Sequence, residues 1–281
     1  MPRPPAARAL AAAVLCAGAL PAVSACGSGP VERTAGASPS AAAATRPAAP
    51  ASPSAAALTA AQAQAALLTA ADLGVPWEPT DGAATWRDGI LKARAEAAPA
   101  DCRRLLDALY ADQPLGAPTG TYAVTGFDDG DDGAQLRHQV LSPRPADVDR
   151  ALAWLRTLPR TCARFTATTT RAGEQTVRVG DLALPAAGDA RQGLRVTFTG
   201  PPDGADGAEG TDEADGDGSD GSGGADVTTL TLDVVAVRVG GDALTLTDGA
   251  PGTLTSDATV QAVQKGVERL KAVRRAGRAQ A

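Results

Sequence analysis

The side chains able to do chemistry in this 281-residue chain are few, and their spacing limits what they can do. His138 is the single histidine, so any Ser/His/Asp arrangement has to use it, yet no Gly-x-Ser-x-Gly elbow occurs. Its alternation with Leu136 and Val140 fits an ordinary strand residue with a satisfied hydrogen bond. Cys102 and Cys162 have no CxxC spacing and no histidine nearby, which argues against a zinc or redox site and for a disulfide between them. Closing a loop of about sixty residues would stabilise the fold by roughly 4 kcal/mol in the chain-entropy model. No Walker motif, no Gly-x-Gly-x-x-Gly after a strand and no Ser-x-x-Lys is present. No catalytic, cofactor-binding or metal-binding set is therefore expected. A carboxylate pair for glycoside hydrolysis leaves no signature in one sequence, so a cell-envelope hydrolase using carboxylates or His138 stands as the alternative reading.

Acidic residues concentrate in 202–226, which holds seven Asp and two Glu and no basic residue. The formal net charge of −6 therefore becomes −6 + 9 = +3 for the rest of the chain. Asp215-x-Asp217-x-Ser219, with Asp226 at the twelfth position, has the alternate spacing of an EF-hand loop. Asp220 stands where the sharp turn wants glycine, and a bidentate Glu is missing. A solvated, disordered insertion between two strands accounts for the segment better. Arginine outnumbers lysine 23 to 3, which reflects a GC-rich genome rather than chemistry. No basic run is long enough for nucleic acid, and aromatics, at 3%, are too scarce to stack bases or sugars.

The other two cysteines lie near the N-terminus. Residues 1–25 have a short basic start (Arg3, Arg8), an apolar Ala-rich stretch and then small residues, the layout of a secretory signal peptide. Cys16 falls inside it. Val23-Ser24-Ala25-Cys26 resembles the bacterial lipobox, in which the thiol accepts diacylglycerol before cleavage in front of the cysteine. Cys26 is thus the expected lipid attachment residue, acylated further with palmitate-type chains. The expected location is the cell membrane, lipid-anchored, on the extracytoplasmic face. From 26 to 57 the chain is mostly Ala, Pro, Ser and Gly, too poor in large apolar side chains to offset the entropy of ordering, and is expected to be a disordered stalk. Thirty such residues would span about 30 Å as a coil and roughly 90 Å if extended.

About 220 residues remain for one domain with a real core, 58–275, followed by a short tail, 276–281. Thr59-Ala-Ala-Gln62 is a capping box opening a helix to about Leu68, and Thr69 caps a short turn ending at Gly74. A second helix begins near Pro99 with Cys102, Leu105, Leu106 and Leu109 on one stripe. Strands are expected over 120–128 and 134–141. A helix opens at Pro145, carries Val148, Ala151, Leu152, Leu155 and Leu158 inward and ends at Pro159. Strands follow over 162–170, 175–184, 193–200, 227–239 and 243–247, and a last helix runs from a Ser256 cap to about Val273. The pattern predicts an α+β domain, an antiparallel sheet with helices packed on one side and room for a cleft.

These features together resemble a known family. They are the lipobox, the stalk, an opening helix reading Leu67-Leu68-Thr-Ala-Ala-Asp-Leu-Gly74, a cysteine on the following helix, and a second cysteine after an Ala/Trp-containing helix. A Val234-Val-Ala-Val-Arg-Val-Gly240 strand and a terminal helix complete them. The combination, over roughly 58–275, is similar to the extracellular sensor domain of actinobacterial PknH-type receptor kinases, which also occurs in stand-alone lipoproteins. The resemblance implies a cleft over an antiparallel sheet and a non-enzymatic, ligand-sensing role toward a small ligand or an envelope protein. It departs in having one cysteine pair where the kinase sensors have two, and no kinase domain accompanies it here. Either a signal passes through a partner or the chain does not signal at all.

Overall fold

One strand explains the architecture. β7, Val227–Val239, is apolar on both faces: Leu230, Leu232, Val234 and Ala236 enter one core, and Val235, Val237 and Val239 enter a second. A strand buried on both sides reads as a near-continuous apolar run, and such a run needs cover above and below. The structure, a computed structural model, describes residues 57–84, 86–202 and 227–279. The signal segment 1–25, Cys26, the stalk up to residue 56 and the calcium reading of the acidic segment lie outside the described residues.

The chain forms α1 (Ala60–Ala65), α2 (Ala70–Leu73), β1 (Trp77–Pro79), a π-helical turn (Arg87–Leu91), α3 (Ala100–Tyr110), β2 (Tyr122–Asp129) and β3 (Ala134–Leu141). Then come α4 (Pro145–Thr161), β4 (Arg164–Thr169), β5 (Gly173–Asp181), β6 (Ala190–Pro202), β7, β8 (Asp242–Pro251) and α5 (Asp257–Ala279). All eight strands form one antiparallel sheet in the order β1-β2-β3-β8-β7-β6-β5-β4. The α+β class and the antiparallel sheet are as expected from the pattern.

The helices cover both faces rather than one. α3 and α4 pack over β4–β7 with Leu105, Leu109, Leu152 and Leu155 meeting Phe165, Val177, Phe198 and Leu232. α1, α2 and α5 close the opposite face over β2, β3, β7 and β8, where Val263, Val267 and Leu270 meet Leu136, Val140, Leu244 and Leu246. Two-sided burial of β7 and β8 is the reason, since a one-sided arrangement would leave Val235, Val237 and Leu246 in water.

Smaller differences have local causes. The Thr59 capping box forms as expected, but α1 stops at Ala65. α4 runs through Pro159 to Thr161, because a proline in the last turn forfeits only one terminal hydrogen bond. α5 continues to Ala279, about two and a half turns beyond the buried Leu270, through Lys, Ala and Arg residues that favour helix and despite Gly277. Ser256 accepts the first helical bond from Val260 N through its carbonyl, while its hydroxyl accepts from Arg195 Nη2 at 2.7 Å. The two-residue turn Gly240-Gly241 joins β7 to β8, with Gly240 at φ +63°.

The segment between β1 and α3, which has no periodicity, is held as a strap by the polar side of β3. Gln135 Nε2 donates to Thr80 Oγ1, Gly82 O and Asp128 Oδ1, and Gln135 Oε1 accepts from Ala84 N. Arg87 and Arg137 both pair with Asp112, and Gln139 Nε2 donates to Asp112 O. Farther along, Arg94 makes a two-way backbone bridge with Thr168 on the outer edge of β4, at 2.8 and 2.7 Å.

Candidate functional site

On the side of the sheet where α5 covers β7 and β8, none of the described helices lies over the strands β4, β5 and β6. Their side chains on that side enter neither core. One cross-strand row reads Arg164, Arg178, Thr197, and the next reads Thr166, Thr176, Thr199. Arg164, Thr166 and Arg178 are exposed and the others half-buried. Threonine suits such a face because its β-branched body fits the pleat while its hydroxyl stays in water.

At the outer edge of this face the strap folds back to make a groove. Lys92, Arg94, Ala95, Glu96 and Ala97 form one wall, and Thr166, Thr168, Thr170 and Glu174 form the other, around a cavity of about 830 Å³. The Arg94–Thr168 bridge fixes the two walls at their closest point. Two cationic and two carboxylate side chains therefore ring one cavity with four threonines, of which Thr169 is buried and accepts from Ala172 N, while the other seven polar side chains are exposed. None of these seven side chains hydrogen-bonds or ion-pairs with another residue among those described.

A strong electrostatic perturbation lies elsewhere and is closed to solvent. Asp233 and Asp248 are direct cross-strand partners, both 0% exposed. Arg195 grips Asp233 through Nε and Nη2, each at 2.8 Å, and the hydrogen bond to Asp233 raises the Arg195 pKa further. Thr259 Oγ1 lies 2.9 Å from Asp248 Oδ2 and 3.3 Å from Asp233 Oδ2. Asp248 Oδ1 is buried without a hydrogen-bond partner. Burial, and then the charges of Asp233 and Asp129, push the Asp248 carboxyl up to about 7 against the pull of Thr259 and Arg195. The pair is missing from the sequence reading, although a carboxylate inside the apolar run Leu230–Val239 is a detectable anomaly.

The residues singled out from sequence fall as follows. Cys102 on α3 and Cys162 at the end of α4 form a disulfide, with Cα atoms 5.5 Å apart at a sequence separation of 60. It ties α3 to the turn that feeds β4. His138 is fully buried on β3, beside α5, and accepts from Leu68 N at 3.4 Å through Nδ1. Burial, helped by the Arg269 charge, lowers its pKa to about 3 and keeps it neutral. Its Nε2 has no hydrogen-bond partner and faces Gly266, where an added Cβ would sit 2.9 Å away. His138, Asp233 and Asp248 line none of the five cavities described. Among the described residues no three His, Cys, Asp or Glu side chains gather in a way that could hold a metal ion.

No protein-family model matches the sequence, and no curated protein matches it. Among solved structures the chain is similar to the extracellular domain of PknH from Mycobacterium tuberculosis. The two share 16% identity at a TM-score of 0.42, over 78% of this chain and 99% of that one. A likeness at that level transfers neither family nor function.

Proposed function

We propose that this chain is an exported lipoprotein, anchored through Cys26 at the extracytoplasmic face of the cell membrane, whose domain binds a polar ligand or envelope partner without transforming it. The groove carries the reading. Its ring of Lys92, Arg94, Glu96, Glu174 and three threonine hydroxyls offers both signs of charge and has no internal use for them. Such a lining suits a hydroxyl-rich molecule with amino and carboxylate groups, such as a soluble fragment of envelope glycan, better than an apolar one.

Export is supported by residues 1–25, by Val23-Ser24-Ala25-Cys26 and by the Cys102–Cys162 bridge, which persists in an oxidising compartment. Among the described residues no helix is long and apolar enough to cross a membrane. Hydrolysis by Asp233, Asp248 or His138 has no support from geometry, since none of them faces a cavity.

Two measurements test the parts separately. Metabolic labelling with a palmitate analogue should mark the wild-type chain and not Cys26→Ser, and equal labelling would remove the anchor. Titration of the protein with soluble amino-sugar peptide fragments should shift backbone amide resonances of 92–97 and 166–174. Lys92→Ala/Arg94→Ala should weaken that response at least tenfold. Shifts confined to other regions, or none, would remove the groove.

A further inference from the structure

The end of the sheet where the chain enters the domain is its basic end. The backbone N–H of Leu58 donates to Ser142 Oγ at 3.1 Å, and Ser142 Oγ donates to Asp242 Oδ1 at 2.7 Å. Asp242 is fully buried and holds Arg274 of α5 through both carboxylate oxygens. This relay pins the point where residue 57 joins the domain to the C-terminal third of α5. Ala57, Gly240, Gly241 and Arg274 line one cavity of about 740 Å³ there, and Arg274, Lys271, Arg275 and Arg278 line a second of about 350 Å³.

Lys271, Arg275 and Arg278 stand at i, i+4 and i+7, so they share one face of α5. All three are exposed and have no partner among the described residues, whereas Arg144 and Arg238 close by are paired with Asp147 and Asp149. Asp189 is the one acid in that cavity lining, and its Oδ2 accepts from Gly240 N at 2.6 Å. The helix dipole favours cations in the last turn. It does not require them over the two turns that flank the chain's point of arrival.

The opposite end of the sheet is acidic. The last two residues of β2, Asp128 and Asp129, and the β2–β3 turn with Asp131 and Asp132 lie there, and the nine-acid segment is attached at the same end, where Pro202 pairs with Val227. Charge is therefore divided along the strand axis, with the unpaired cations at the tethered end.

We infer that the Lys271–Arg275–Arg278 face docks on an anionic bilayer and holds the domain with its acidic end pointing away. The inference builds on the tether proposed above. A stalk of the length proposed for 26–57 would, as a coil, keep the domain within roughly 30 Å of its attachment point, where a weak electrostatic contact is made repeatedly. Three cations at an anionic surface, at roughly fivefold each, give about a hundredfold preference over a neutral one.

The test uses residues 26–281 carrying Cys26→Ser, so that neither a lipid nor the apolar 1–25 segment is present, in sedimentation with vesicles. Vesicles of 30% phosphatidylglycerol in phosphatidylcholine should bind it at low salt, and pure phosphatidylcholine should not. K271A/R275A/R278A should lose about a hundredfold, and added salt should release the wild type. R164A/R178A, which removes two charges from the open sheet face, should bind as the wild type does. The N-terminal residues are common to all forms, so differences between variants read the patch alone. A loss of about twenty-fivefold in R164A/R178A, the same per charge as in the triple variant, would mean a net-charge effect and overturn the inference. So would binding indifferent to phosphatidylglycerol, or inorganic phosphate binding to the patch without any vesicle preference. Loss of palmitate labelling at Cys26 with vesicle binding intact would remove the anchor and leave the patch.

Discussion

Arg195 neutralises one carboxylate, and two face it. Its bidentate grip on Asp233 fixes that residue as the anion, and the single proton of the Thr259 hydroxyl cannot serve both acids. If Thr259 donates to Asp233, Asp248 has to donate to Thr259, which requires the neutral acid that burial also favours. His138 is the mirror case, a base kept neutral by burial. Their linkages have opposite signs. Asp248 has a folded pKa near 7 against 3.8 unfolded, so its penalty is full above pH 7 and relieved as pH falls toward 4. His138 has a folded pKa near 3 against 6.5, so its contribution is intact above pH 6.5 and lost as pH falls toward 3. Between pH 7 and 4 each is worth roughly 3–4 kcal/mol, and they nearly cancel. Urea unfolding should therefore show Asp248→Asn losing stability on acidification from pH 7 to 4. His138→Asn, whose amide oxygen can still accept from Leu68 N, should gain it. Parallel slopes in the two variants would refute the assignment. Asp233 follows from the hairpin register closed at Gly240-Gly241, but Thr259 was not legible as a partner, because it reaches the two carboxylates only through the docking of α5.

Elements were legible in proportion to their periodicity. The stripes of α3 and α4 and the alternation of β2 and β3 appear in the structure within a few residues of where the pattern puts them. The placement of the helices was not, because a strand's two faces are assigned by what packs on them, and the continuous run of β7 was read only as a long strand. The strap from Thr80 to Ala97 left no pattern at all. Its position depends on the polar side of β3, where alternation predicts solvent and the structure puts Gln135, Arg137 and Gln139 against the strap. Asp112 is the hinge of that arrangement. It is buried, sits at φ +53° and draws in both Arg87 and Arg137. Asp112→Asn keeps the left-handed preference and removes the charge. It should destabilise the protein by about 1–3 kcal/mol, since two partly screened guanidinium groups lose their counter-ion. Hydrogen exchange should rise in 86–95 ahead of the sheet, and ligand response in the groove should weaken with it. Unchanged protection of 86–95 would show that the Arg94–Thr168 bridge alone holds the strap.

At the scale of the molecule, composition predicts a separation that the fold turns into geometry. The chain's net charge of −6 hides an acidic segment of −9 and a remainder of +3. That segment joins strand ends at the pole opposite Lys271, Arg275 and Arg278. Because β6 and β7 pair in register from Ala190↔Arg238 to Thr199↔Thr229, the hairpin does not need 203–226 for its alignment. Replacing 203–226 by a four-residue turn should therefore leave the fold intact. Loop-closure entropy scales as 1.5 RT times the logarithm of length, so shortening 24 residues to four should stabilise by about 1.6 kcal/mol. The same deletion removes nine negative charges, so at low salt it should tighten binding to phosphatidylglycerol vesicles and flatten the protein's preference for one orientation. Thermal unfolding and vesicle sedimentation of the deletion variant read these two effects independently. A fall in stability would mean that the acidic segment makes contacts its composition does not predict. Unchanged vesicle binding would mean that the segment's charge is screened from the basic pole, leaving the Lys271–Arg278 face to act alone.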